Sequence, residues 1–172
     1  MNDKAPTWNA SREAREELWS EVVPGLWQGG TDWDDVVWNT SRQPSPITAT
    51  EFDLVATLYA DANPVDWFVE EIRLGILDGH IDNVDLDRVL RVVHRVHAAW
   101  KSGDRVLVRC QAGWNRSGLV TALVLIRDGM DAQDAIDLIR ERRSSHALCN
   151  RDFVNWLLVS GADAVRELTP TL

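Results

Sequence analysis

The run VLVRCQAGWNRSG (106–118) dictates more about this chain's architecture than any other part of it. A compact apolar strand leads directly into a thiol. Five residues later come an arginine and a hydroxyl, and from Leu119 to Arg127 the chain reads as a helix. Each part has a physical use if the ligand is a phosphate monoester. A loop of this length at a helix N-terminus can curl so that successive backbone N–H groups point inward as an anion nest. Gln111, Ala112, Gly113, Trp114 and Asn115 would supply that nest, with Gly113 permitting a turn that a side chain would obstruct. Arg116 offers a planar fork able to hold two phosphate oxygens. Cys110 sits where the nest and the helix N-terminus favour its thiolate, a strong nucleophile. Ser117 can donate a hydrogen bond to the sulfur and help it leave later. The bland alternative is a buried cysteine beside an ordinary strand-to-helix turn.

The rest of the chain frames that segment. A short helix is expected around SREAREELWSE (11–21), with Ser11 as N-cap and Glu13 in the first turn. EVVPGLWQGG (21–30) reads as a short extended segment closed by Gly29 and Gly30, and residues 39–50 as an exposed loop. FDLVATLY (52–59) is a strand, PVDWFVEEI (64–72) a short helix, and IRLGIL (72–77) a second extended run. Leu86, Val89, Leu90, Val93, Val96 and Trp100 follow helical spacing after Asp85. Further helices are expected over 131–142 and 150–159. Strands alternating with helices before a helical last third imply an α/β fold, a mostly parallel central sheet flanked by helices.

With 172 residues the chain has room for one domain, and 22–172 is assigned to it, leaving 1–21 as an N-terminal extension. Lys plus Arg is 18 against 27 Asp plus Glu, a net charge of -9, which argues against nucleic acid or an anionic membrane as partner. Leu119 to Ile126, interrupted by Thr121, is too short to span a bilayer, and the polar start lacks a signal-peptide core, so a cytoplasmic location is expected. Cys110 and Cys149 are too few for a disulfide framework or a cysteine-rich metal site. Among nine tryptophans, Trp100 and Trp156 fall on helical apolar faces; Trp8, Trp19, Trp27, Trp33, Trp38 and Trp67 lie in the first seventy residues. The core is the default place for most of them.

CQAGWNRSG (110–118) resembles the Cys-x5-Arg-Ser/Thr signature of the cysteine-dependent protein tyrosine phosphatase superfamily. Its Ala-Gly pair and Arg-Ser-Gly ending resemble the dual-specificity branch. GLWQGG near the start and the downstream AIDLIRERRSSHALCNRDFVNWLL extend the likeness over about residues 22–160. It implies a metal-free, cofactor-free phosphomonoester hydrolase with a strand–phosphate loop–helix core and a cysteinyl-phosphate intermediate. Its substrate would be a phosphorylated protein or a small phosphomonoester. It also implies that Arg142, Arg143 and Asn150 brace the loop from below. One position departs: the family carries His immediately before the cysteine, where this chain has Arg109.

A leaving alkoxide or phenoxide needs a proton from another loop. Asp78 precedes Gly79 after an extended run, as the acid does in the dual-specificity branch, which makes it the candidate. Asp82 and Asp85 are its rivals, Asp85 also being a natural helix cap, and His80 could line the rim. His94 and His97 have no metal-ligand partners at suitable spacing. Two other classes stay open: a phosphate-binding pseudophosphatase, motivated by Arg109, and a redox protein in which Cys149 resolves an oxidised Cys110.

Overall fold

The computed structural model describes residues 18–40 and 46–166. A five-stranded sheet lies at its centre, with β1 Trp19–Val23, β2 Leu26–Gly29, β3 Leu54–Thr57, β4 Glu70–Arg73 and β5 Val106–Arg109 in the order β1-β2-β5-β3-β4. All pairs are parallel except the β1–β2 hairpin at one edge. β5, central and completely buried, is the strand that delivers Cys110.

Side-chain alternation along β5 divides the molecule. Val106 and Val108 enter the main core, while Leu107 joins a smaller cluster of Trp19, Ile47, Phe52, Val55 and Val69 on the opposite face. The main core lies beneath helices α1 Leu86–Lys101, α2 Arg116–Arg127, α3 Ala132–Arg142, α4 Arg151–Trp156 and α5 Ala162–Arg166, with a π-helical turn Leu157–Gly161 joining the last two. Every residue of α2 from Ser117 to Ile126 is buried, so the helix that starts at the candidate phosphate loop is the centre of the helical layer. The caps are local and legible. Asp85 accepts from Arg88 N–H, Asp131 from Gln133 N–H, and Asn150 from Asp152 and Phe153 N–H.

Three expectations change. Of the helix expected over 11–21, residues 11–17 with the cap Ser11 lie outside the described residues and Leu18 is helical, but the chain from Trp19 is strand, because Trp19 pairs with Gly29 and packs edge-on to Phe52. The segment 21–30 is a hairpin rather than one run, turning at Gly25, whose φ of 84° suits glycine. The helix expected over 64–72 is absent. Asp66 closes a turn by accepting from Phe68 N–H, and Glu70–Arg73 then pairs in parallel with β3. Among the tryptophans, Trp19 is buried, whereas Trp33, Trp38 and Trp67 are exposed.

Candidate active site

The loop 110–115 is shaped by what its carbonyls bind. The Cys110 carbonyl accepts from Thr31 Oγ1 at 2.9 Å and that of Gln111 from Thr31 N–H at 2.9 Å. The Gly113 carbonyl takes Gln28 Nε2 at 3.1 Å and Arg143 Nε at 3.3 Å, and the Trp114 carbonyl takes Leu148 N–H at 3.2 Å. Four carbonyls are thus tied outward, which turns the peptide N–H groups toward the loop's centre. Gly113 has φ +75° and its backbone passes so close to Gly29 and Gly30 that a Cβ would lie 2.4 Å from Gly29 C. Two glycine segments far apart in sequence therefore meet where the loop needs them. At the start of α2, Asn115 makes no side-chain cap bond, leaving the first-turn N–H groups to an anion.

Cys110 is buried on the helical side of the sheet. Its Sγ lies 3.3 Å from Ser117 Oγ and receives Gly113 N–H at 3.3 Å. Arg116 directs Nη2 to Gln111 Oε1 at 3.2 Å and lies over the Tyr59 ring, 5.5 Å from its centroid. Its Nε is buried and makes no hydrogen bond among the described residues, so it can donate to a bound oxyanion. Burial pushes the Arg143 guanidinium below its ordinary range, while charge on Cys110 opposes that shift. The arginine binds the carbonyl of Gly113, the residue whose N–H meets Cys110 Sγ.

Asp78 stands at the rim on the far side of the loop. Asn115 Nδ2 and Asn150 Nδ2 each donate to its carboxylate at 3.0 Å. Asn150 also donates to Gly79 O at 3.0 Å while capping α4. The rivals are placed differently. Asp85 is occupied as the α1 cap, and Asp82 faces solvent beside His80 Nδ1 at 3.3 Å. Cys149 is an exposed free thiol whose Sγ lies 3.4 Å from the Asn115 side chain. Of the three expected braces, Arg143 and Asn150 reach the loop or its rim, but Arg142 projects outward beside Glu141. Arg140 does related work instead, holding the carbonyls of Ala147 and Leu148.

Arg109 points away from the thiol, onto the other face of the sheet, as strand alternation requires. It is 1% exposed and spends its guanidinium on Thr57 Oγ1 (3.0 Å), Asp35 Oδ2 (2.9 Å), Asn63 O (2.6 Å) and Glu71 Oε1 (3.4 Å). Burial lowers its pKa from the ordinary arginine value, and the charges of Asp35 and Glu71 resist the shift. This residue therefore bolts three segments to the strand that carries the cysteine.

Residues 39–162 match the family of the dual specificity phosphatase catalytic domain. The chain belongs to that family. Solved structures agree at the level of the fold. Human DUSP28 is 20% identical with a TM-score of 0.66, covering 87% of this chain and 99% of its own. A human tyrosine phosphatase-like serine/threonine/tyrosine-interacting protein is 18% identical with a TM-score of 0.64, covering 81% and 92%. A mouse putative dual specificity phosphatase, solved with zinc tungstate, is 20% identical with a TM-score of 0.62, covering 96% of each chain. No curated protein matches the sequence.

As a dual-specificity phosphatase domain, the chain also recruits residues that its motif does not reveal. Gln28 and Thr31 lie before residue 39, where the family match begins, yet they hold three carbonyls of the loop. Gln28 carries one readable sign, being an amide inside an otherwise apolar strand. Tyr59 carries none. It reaches Arg116 only because β3 ends beside β5. No helix among the described residues is long and apolar enough to cross a membrane.

Proposed function

We propose that this chain hydrolyses phosphomonoesters through a cysteinyl-phosphate, on phosphorylated proteins or small phosphomonoesters. The observation that carries the reading is the cluster around Cys110: a thiol contacted by Gly113 N–H and Ser117 Oγ, within a loop that also presents a buried, unbonded Arg116 Nε. In the first step the Cys110 thiolate attacks phosphorus in line. Arg116 and the loop N–H groups hold the equatorial oxygens, where charge accumulates. Asp78 gives a proton to the departing oxygen. In the second step Asp78, now a base, takes a proton from the attacking water, phosphorus is released as inorganic phosphate, and Ser117 donates to the returning thiolate. Tungstate is a tetrahedral oxyanion, and its presence with the similar mouse structure supports a phosphate-shaped pocket.

The test is p-nitrophenyl phosphate hydrolysis by wild type, Cys110→Ser and Asp78→Ala, without metal and with reductant, from about pH 5 to 8. Turnover should vanish in Cys110→Ser and fall about 10²–10⁴-fold in Asp78→Ala. Undiminished turnover in Cys110→Ser refutes the mechanism. An inert wild type that binds vanadate would be a phosphate reader instead.

A further inference from the structure

Beside the pocket, the segment 31–38 forms a surface that the reaction does not use. Its first residue, Thr31, is bonded to the phosphate loop. The segment then runs along residues 59–63, joined by the Val36–Ala62 bridge, by Val37 N–H to Asp61 O at 2.8 Å and by Asn63 N–H to Asp35 O at 3.0 Å. The Tyr59 ring flanks Arg116, and burial together with Asp61 raises the pKa of its hydroxyl while Trp38 opposes the shift, which puts both side chains in its neighbourhood. Trp38 in turn meets Trp33 edge-to-face, with ring centroids 5.2 Å apart. Trp33 is 70% and Trp38 52% exposed. Two indoles therefore lie open to solvent as a shelf continuous with the candidate phosphate-binding arginine.

The shelf is held rigidly, since Arg109 grips both of its strips through Asp35 and the Asn63 carbonyl. Its stretch of chain is acidic, with Asp32, Asp34 and Asp35 flanking Trp33 in sequence and Asp61 acting on Tyr59. Among the described residues, Arg73, a basic side chain at its margin, is tied to Glu71 and to the carbonyls of Ala60 and Ala62. Exposed indoles in an acidic stretch of chain suit a cation, which gains from both the ring quadrupole and the charge. An anionic lipid surface would meet repulsion there, reinforced by a net charge of -9.

We infer that the Trp33–Trp38–Tyr59 shelf docks a polypeptide substrate carrying Lys or Arg a few residues from its phosphorylated side chain. This rests on the reading of the Cys110–Arg116 loop as the phosphate site. An extended peptide advances about 3.3 Å per residue, so a basic residue roughly two to four positions away can lay its side chain on the indoles. The phosphate fixes one end of the peptide and the cation the other, which gives the site a direction along the chain it binds.

The experiment compares phosphopeptides identical except for Lys or Glu at those positions, with p-nitrophenyl phosphate as a substrate too small to reach the shelf. Wild type should show a KM about fivefold to tenfold lower for the Lys peptide. Trp33→Ala should bring that ratio within about twofold while leaving p-nitrophenyl phosphate turnover unchanged. Asp32→Asn, which keeps the acceptor for Asp34 N–H, should reduce the ratio in part. Equal KM values in wild type, a preference for Glu, or an intact ratio in Trp33→Ala each overturns the docking surface. If wild type does not turn over p-nitrophenyl phosphate, the proposed reaction fails separately. The same peptides titrated calorimetrically into Cys110→Ser then decide the shelf, and equal affinities overturn it. Dimerisation abolished by Trp33→Ala would assign the shelf to a second copy of the chain, and also overturns the proposal.

Discussion

Arg109→Met tests whether the buried arginine holds the site together. The substitution preserves most of the side chain's length and removes all four contacts, at 3.0, 2.9, 2.6 and 3.4 Å. It leaves the Asp35 and Glu71 carboxylates, with side chains 16% and 13% exposed, without that cation. Removing one member of a buried ion pair costs about 3–5 kcal/mol, mainly because the remaining charge keeps its desolvation penalty. Glu71 retains Thr57 Oγ1 at 2.6 Å and Arg73 Nη1 at 2.8 Å, so the lower end, about 3 kcal/mol, is expected. For a domain of this size that is a drop in Tm of roughly 6–12 °C. Urea unfolding followed by far-UV circular dichroism measures it. An internal check separates this cause from simple loss of packing. Adding Asp35→Asn should return part of the loss, because one of the carboxylate charges that Arg109 balances is gone. A loss below about 1 kcal/mol, or no recovery with Asp35→Asn, would refute the argument.

Gly113→Ala forces a Cβ against Gly29 at φ +75° and should cost about 1–3 kcal/mol while abolishing vanadate binding, checked by calorimetry. Asn150→Ala removes the α4 cap and one tether of Asp78. It should cost about 0.5–2 kcal/mol in urea unfolding and lower kcat more than KM for p-nitrophenyl phosphate. Arg143→Met removes a cation from the Gly113 carbonyl, next to the N–H that meets Cys110 Sγ, so iodoacetamide labelling at pH 7 should slow at Cys110 and not at Cys149, read by mass spectrometry. Arg105 hydrogen-bonds Asp53 and holds its carboxyl below the usual range. That contribution is complete above about pH 4 and is lost as pH falls through the depressed folded value. Both side chains are over 40% exposed, so Asp53→Asn should flatten the acid limb of the stability curve by less than about 1 kcal/mol.

Where sequence reading succeeded, a residue's role depended on its neighbours in the chain. The strand–loop–helix at 106–127 is local, and so are the Asp85, Asp131 and Asn150 helix starts. The failures are elements decided by distant partners. Glu70-Glu71-Ile72-Arg73 has good helix formers, yet it becomes a strand because β3 offers a parallel edge and Thr57 awaits Glu71. Trp19 follows a helix-like run, yet pairing with Gly29 and contact with Phe52 make it extended.

The site divides along the same line. Cys110, Gly113, Arg116 and Ser117 lie on one loop-to-helix segment, so their coming together was legible from spacing. Asp78 meets that segment through Asn115, and Asn150 holds it there. What supports them was not legible: Gln28, Thr31 and Arg140 act on the loop or the turn that receives it across folded distance. Arg109 shows why adjacency misleads. It neighbours the cysteine in sequence, which invites an electrostatic effect on the thiol. In a strand, however, neighbours point to opposite faces, and its charge is spent on Asp35, Glu71, Thr57 and Asn63. A residue beside the nucleophile can then act on it only through the backbone and the segments it anchors. On that geometry Arg109 substitutions should move stability and the 31–38 segment first, and thiol reactivity only as a consequence.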